Sequence, residues 1–91
     1  MLNSVKLAMK LTTTAYDSEI LELIEAGKAD LKLAGIPVES VGTSDPLIKR
    51  AVTTYCRLNF GTPSDYDRLK RSYDEQKAQL QTAFSYLGGD E

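Results

Sequence analysis

Four carboxylates, Asp17, Glu19, Glu22 and Glu25, crowd one stretch of the chain and raise the question of acid–base chemistry. Such chemistry needs two carboxyl groups whose environments hold one protonated and one ionised. These four stand where a helix begins, and the positive end of the helix dipole already accounts for acidic residues there. Asp65, Asp67, Asp74 and Glu75 alternate with bases at helical spacing and read as surface pairs. Cys56 is the one cysteine. It can form neither an internal disulfide nor a thiolate metal site, and it borders an apolar helix side as a small buried thiol does. Histidine is absent. That excludes Ser-His-Asp and Cys-His catalysis, the usual His-containing zinc sites and a histidine pH switch. No Walker loop, GxGxxG or EF-hand pattern occurs. The reading is a non-enzyme with no catalytic, cofactor or metal-binding residues.

The bases carry more information. Lys49, Arg50 and Arg57 fall together on one side of a helix opened by Pro46. Three readings stand: a solvated face, a protein–protein contact, or contact with nucleic-acid phosphates. A helix with Pro at its start and bases along one side suits a major groove. Against that, Asn and Gln are missing from its first turns, and the net charge of −2 gives little attraction to DNA. Tyr86 falls off the apolar stripe of its helix, and exposed tyrosine is enriched at interfaces.

The elements that must position these groups are helices. At 91 residues the chain makes one domain, 1–91, with a thin core. Its 42% hydrophobic and 26% charged residues are ordinary globular composition. Lys6 and Lys10 interrupt any N-terminal apolar run, so neither a signal peptide nor a membrane span is expected, and a cytoplasmic location is.

A first helix is expected over about 3–10, capped by Asn3 or Ser4, with Val5, Leu7, Ala8 and Leu11 on its apolar side and the Thr12–Thr14 run breaking it. A second spans about 17–34, capped by Asp17 and closed by Gly35, with Ile20, Leu23, Ile24, Gly27, Leu31 and Ala34 in one stripe. Residues 36–44 read as a loop with a short extended piece over 38–41. The third helix, about 46–60, is capped by Ser44 or Asp45 and buries Leu47, Ile48, Ala51, Val52, Tyr55 and Leu58. The fourth runs from Ser64 or Asp65 to Leu87, opened by Ser64-x-x-Asp67 and ended by Gly88 and Gly89. Tyr66, Leu69, Tyr73, Leu80, Phe84 and Leu87 form its stripe, which Gln76 and Lys77 interrupt. The fold class is therefore all-α, a small bundle of about four helices with a long C-terminal one.

The string DPLIKRAVTTYCRLNFGTPSDYDRLKRSYDEQKAQL resembles the tailed-phage head–tail connector family, also called head-completion or adaptor proteins, of phages and prophages. The shared positions are Asp45 and Pro46, then Tyr55, Cys56, Asn59, Phe60 and Gly61, then Ser72, Tyr73 and Asp74. The resemblance implies a virion protein that forms a ring of about a dozen copies beneath the portal after genome packaging. The ring extends the DNA channel, lets DNA pass without reading its sequence, and offers a platform to a tail-side completion or stopper protein. It implies assembly in the host cytoplasm and a final place at the virion head–tail interface, with no membrane.

A closed ring is built from a head-to-tail contact, so two different sides of each copy must match. The candidate pairing sets Glu19, Glu22 or Glu25 of one copy against Arg50, Arg57 or Arg68 of the next, and Lys49 and Tyr86 are further candidate interface residues. The alternative is a small helical DNA-binding regulator that uses the basic side of the helix at 46–60.

Overall fold

The computed structural model describes the backbone of residues 1–42 and 44–88, and their side chains except at 40, 41 and 85–88. Along it run α1 (Leu2–Ala8), α2 (Asp17–Leu33), the single turn α3 (Val38–Val41), α4 (Pro46–Asn59) and α5 (Tyr66–Gly88), with no strand among the described residues. The architecture is the expected small all-α bundle with a long C-terminal helix. α4 is its centre: α2 packs on it from one side, α5 from another, and α1 lies across α2 and α4.

Asp45 starts α4. Its carboxylate accepts from the Leu47 N–H at 2.8 Å and the Ile48 N–H at 3.3 Å, and Pro46 follows as the first helical residue. Two donors that an α-helix leaves unsatisfied are thereby paired, and the lost N–H of Pro46 is one the helix never uses. Asp45→Ala is expected to lower unfolding stability by about 0.5–2 kcal/mol, measured by urea titration, while Ser44→Ala leaves it unchanged.

α2 ends as its glycine predicts. Gly35 takes φ +91°, the Ile36 N–H reaches the Leu31 carbonyl at 3.0 Å, and the Gly35 N–H reaches that of Lys32 at 3.0 Å. This is the Schellman closure, and it turns Ile36 into the core, where it is fully buried. Gly27, in the middle of the buried stripe, marks where α2 meets α4. A Cβ there would lie 3.1 Å from Cδ1 of Tyr55. At this glycine the two helices approach so closely that even a methyl group would press on the Tyr55 ring.

The core joins Ile20, Ile24 and Leu31 of α2 to Ile48, Val52 and Cys56 of α4 and to Leu69, Tyr73 and Leu80 of α5, with Val5 sealing it from α1. Burial pushes the Cys56 thiol up to about 11, so it stays protonated and inert at neutral pH.

Several local expectations are corrected. α1 starts at Leu2 behind Met1, so Asn3 and Ser4 lie inside it and cap nothing. It ends at Ala8, and Lys10 at φ +59° turns the chain before the threonines are reached. Leu2, Val5 and Met9 share its inner side at helical spacing, which leaves Leu7 80% exposed. Asp17 is the first residue of α2, not its cap, and its carboxylate pairs with Lys6 at 2.8 Å. Residues 38–41 form a helical turn closed by the Gly42 N–H on the Val38 carbonyl, not an extended piece. Leu47 and Tyr66 sit at the first turns of α4 and α5 and are exposed; Tyr66 lines a shallow cavity beside Tyr55 and Leu58 of α4 without being buried in it. α5 begins at Tyr66, one residue too late for the Ser64-x-x-Asp67 box. Asp65 occupies the cap position, and its carboxylate takes Arg68. Gly88 is still helical; Gly89 and the side chains of Tyr86 and Leu87 lie outside the described residues.

Candidate assembly surfaces

On α4, Arg50 and Arg57 are two turns apart on the same line, with Lys49 and Thr53 beside them, all on the edge the core leaves free. α1 and α5 rise on either side of that edge. Between them lies an open groove of about 460 Å³, lined by Lys49, Arg50 and Arg57 on the floor, Arg68 and Gln76 on α5, and Leu7 on α1. No carboxylate among the described residues lines it. The hydroxyls of Thr53 and Thr54 turn back onto the carbonyls of Lys49 and Arg50 at 2.8 and 3.0 Å, so the floor's short polar groups are satisfied internally. Among the described residues Lys49, Arg50 and Arg57 have no ion-pair partner, whereas Arg68 is held by Asp65. The four bases named from the sequence are thus brought to one site.

The acidic residues named from the sequence lie elsewhere. Glu19, Glu22 and Glu25 are all exposed on α2, on the side turned away from its buried stripe. Glu25 pairs with Lys28 at 3.0 Å; Glu19 and Glu22 have no ion-pair partner among the described residues. α2 meets α4 through Gly27 and Tyr55, and on α4's helical wheel Tyr55 falls nearly opposite Arg50 and Arg57. The acidic side of α2 and the basic groove therefore face away from each other. Tyr86 belongs to α5, but its side chain lies outside the described residues.

A third polar group escaped the sequence reading. Asp30 of α2 accepts from the Tyr73 hydroxyl of α5 at 2.5 Å and from Lys77 Nζ at 3.2 Å, with the ammonium 5.2 Å from the centre of the Tyr73 ring. Tyr55 meets the same ring edge-on at 5.5 Å. The Tyr73 hydrogen bond, with the Lys77 hydrogen bond and charge behind it, holds the Asp30 carboxyl below its ordinary range against the opposing effect of burial. Burial first, and Asp30 second, push the Tyr73 hydroxyl far up. The signal was present in the interruption of α5's stripe by Gln76 and Lys77. A base in an apolar stripe needs an acid across from it.

This cluster sets an acid dependence. Because the folded-state value of Asp30 is depressed, its contribution is present above the ordinary carboxyl range and is lost as pH falls through the folded value. The stability gap between the wild type and Tyr73→Phe should therefore narrow on acidification from neutral pH, as read from urea midpoints at each pH. A gap independent of pH would separate Asp30 from Tyr73.

The motif residues now have physical roles. Asn59 Nδ2 donates to the Tyr55 carbonyl at 2.9 Å and so closes the end of α4. The Phe60 ring meets Tyr16 edge-on at 5.4 Å, which ties the α4–α5 connection to the start of α2. Asp74 holds Lys70 at 2.9 Å, and Ser72 lines the basic groove. A family model described as phage connector protein matches residues 1–86. The chain belongs to the phage connector family. No curated protein and no solved structure matches it. Membership makes this a structural protein of the phage head–tail connector, associated with other virion proteins such as the portal. In this connector the motif Tyr55-Cys56-x-x-Asn59-Phe60 serves the packing of the bundle: Cys56 lies in the core, Asn59 closes α4, and Tyr55 and Phe60 pack on aromatic neighbours. No helix among the described residues is long and apolar enough to cross a membrane.

Proposed function

We propose that this connector acts as an adaptor whose copies close into a ring of about a dozen beneath the portal, extend the DNA channel and present a platform to a tail-side completion or stopper protein. The observation that supports this reading most is the separation of charge. Among the described residues, carboxylates without an ion-pair partner, Glu19 and Glu22, stand on α2, bases without one, Lys49, Arg50 and Arg57, stand in the groove over α4, and the two face apart. Two unlike faces of one protomer match a head-to-tail interface that closes a ring, whereas a two-fold dimer needs one self-complementary face. The interface residues of the proposal are Glu19, Glu22, Glu25, Lys49, Arg50, Arg57 and Arg68, with Tyr86 as a further candidate. The ring forms in the host cytoplasm, and DNA crosses its lumen without sequence readout.

Mass of the purified protein, with and without the portal protein, tests this by light scattering or native mass spectrometry. A single high-mass species on the portal is expected. Charge reversal at Arg50 and Arg57 should lower its yield with helix content intact. Reversing Glu19, Glu22 and Glu25 in the same chain should restore part of it. A monomer that binds duplex DNA with sequence preference would replace the adaptor reading by the regulator one.

A further inference from the structure

We infer that the groove between α1, α4 and α5 is the seat for the outward side of α2 of a second copy of this chain, with Leu7 packing on the neighbour's Ala26 and Ala29. The inference rests on the ring reading above and deepens it to a register.

The groove needs an occupant with two properties. Three of its bases, Lys49, Arg50 and Arg57, call for carboxylates, and no described residue lining the groove supplies one; the fourth, Arg68, is held by Asp65 at its edge. Leu7, 80% exposed on the α1 wall, calls for an apolar contact close to those charges. A phosphate backbone answers the first need and not the second, and the net charge of −2 opposes it. The outward side of α2 answers both. At 100° per residue Glu22, Ala26 and Ala29 follow one line, with Glu19 and Glu25 on its two sides, and all five are exposed. Small side chains at 26 and 29 let another helix wall come close, so that Leu7 covers them while the carboxylates reach the arginines. The same protomer cannot close this contact, because α2 lies on the Tyr55 side of α4 and the groove on the other. The contact is therefore between copies, and each copy keeps one free half, the condition for a ring or a chain.

Disulfide trapping tests the register, since Cys56 is fully buried and its thiol stays protonated. The full chain carrying both Leu7→Cys and Ala26→Cys, oxidised mildly under the conditions that assemble the wild type, should give a ladder of covalent multimers. An equimolar mixture of the two single variants should stop at dimers, and either single variant alone should give none. Adding Arg50→Glu and Arg57→Glu should cut the cross-linked yield about tenfold, with recovery when Glu19, Glu22 and Glu25 become lysines. Native mass spectrometry on the uncrosslinked chain separates the two levels of the argument. Rings without Leu7–Ala26 cross-links overturn the register and leave the ring reading in place. Cross-links between two Leu7→Cys copies show a two-fold contact and overturn the register. Duplex DNA that binds the groove and abolishes the ladder makes phosphate its occupant and overturns it too. A chain that stays monomeric with and without the portal overturns both.

Discussion

Leu31→Ala should lower the thermal midpoint by roughly 10–40 °C, while Leu33→Ala, two residues further along the same helix, should move it by no more than a few degrees. Leu31 is fully buried at the junction of α2 and α4, and its carbonyl receives the Ile36 N–H that closes the helix. Truncation removes the transfer free energy of the side chain and leaves a cavity that well-packed neighbours do not fill, about 2–5 kcal/mol together. A chain of 91 residues has a total margin of only about 5–14 kcal/mol, so the loss is a large part of it. Leu33 is 88% exposed and touches nothing whose loss is costly. The measurement is far-ultraviolet circular dichroism on heating, at dilution that keeps every variant monomeric. Equal midpoints for the two variants would mean that the inward side of α2 is misassigned.

Gly27→Leu is expected to destabilise by about 1–3 kcal/mol, although leucine favours helix over glycine. A Cβ at this position would stand 3.1 Å from Tyr55 Cδ1, 3.2 Å from Cγ and 3.4 Å from Cβ. The ring cannot swing aside freely, because Tyr73 lies against it. Either α2 lifts away from α4 or Tyr55 leaves its place, and both open the core. A double-mutant cycle isolates the cause. Gly27→Ala in the wild type sets a helix gain of up to about 1 kcal/mol against the Tyr55 contact and should come out neutral or destabilising. With Tyr55→Ala in the background the ring contact is gone, and the same change should become stabilising. If Gly27→Ala stabilises equally in both, the close approach does not govern this position.

Most of the fold was legible in the chain because its signals are local. Asp45-Pro46 caps α4 with atoms three residues apart at most, and Gly35 supplies the left-handed conformation that ends α2. The stripes of α2 and α4 are read at 100° per residue without knowing what covers them. Where reading failed, the deciding contact came from elsewhere. Leu7 looked like core because it is apolar, but α1 is only two turns long and turns Val5 inward, so Leu7 has nothing to rest on. Asp17 looked like a cap because of its type, and Lys6, brought alongside by the α1–α2 turn, took its carboxylate instead.

The site divides in the same way. The types and helical sides of Glu19, Glu22, Glu25, Lys49, Arg50 and Arg57 follow from the sequence alone, as does the absence of histidine chemistry. That Arg68 of α5 joins the α4 bases in one groove, with Leu7 on its wall, depends on how three helices are arranged. That the acids face away from the bases depends on how α2 packs on α4, marked by Gly27 against Tyr55, residues 28 positions apart. The pairing of Asp30 with Tyr73 and Lys77 is of the same kind. Helical periodicity is a property of consecutive residues and is written in one dimension. Which side of one helix finds which side of another is settled by side-chain shape and charge across distances that no local pattern records.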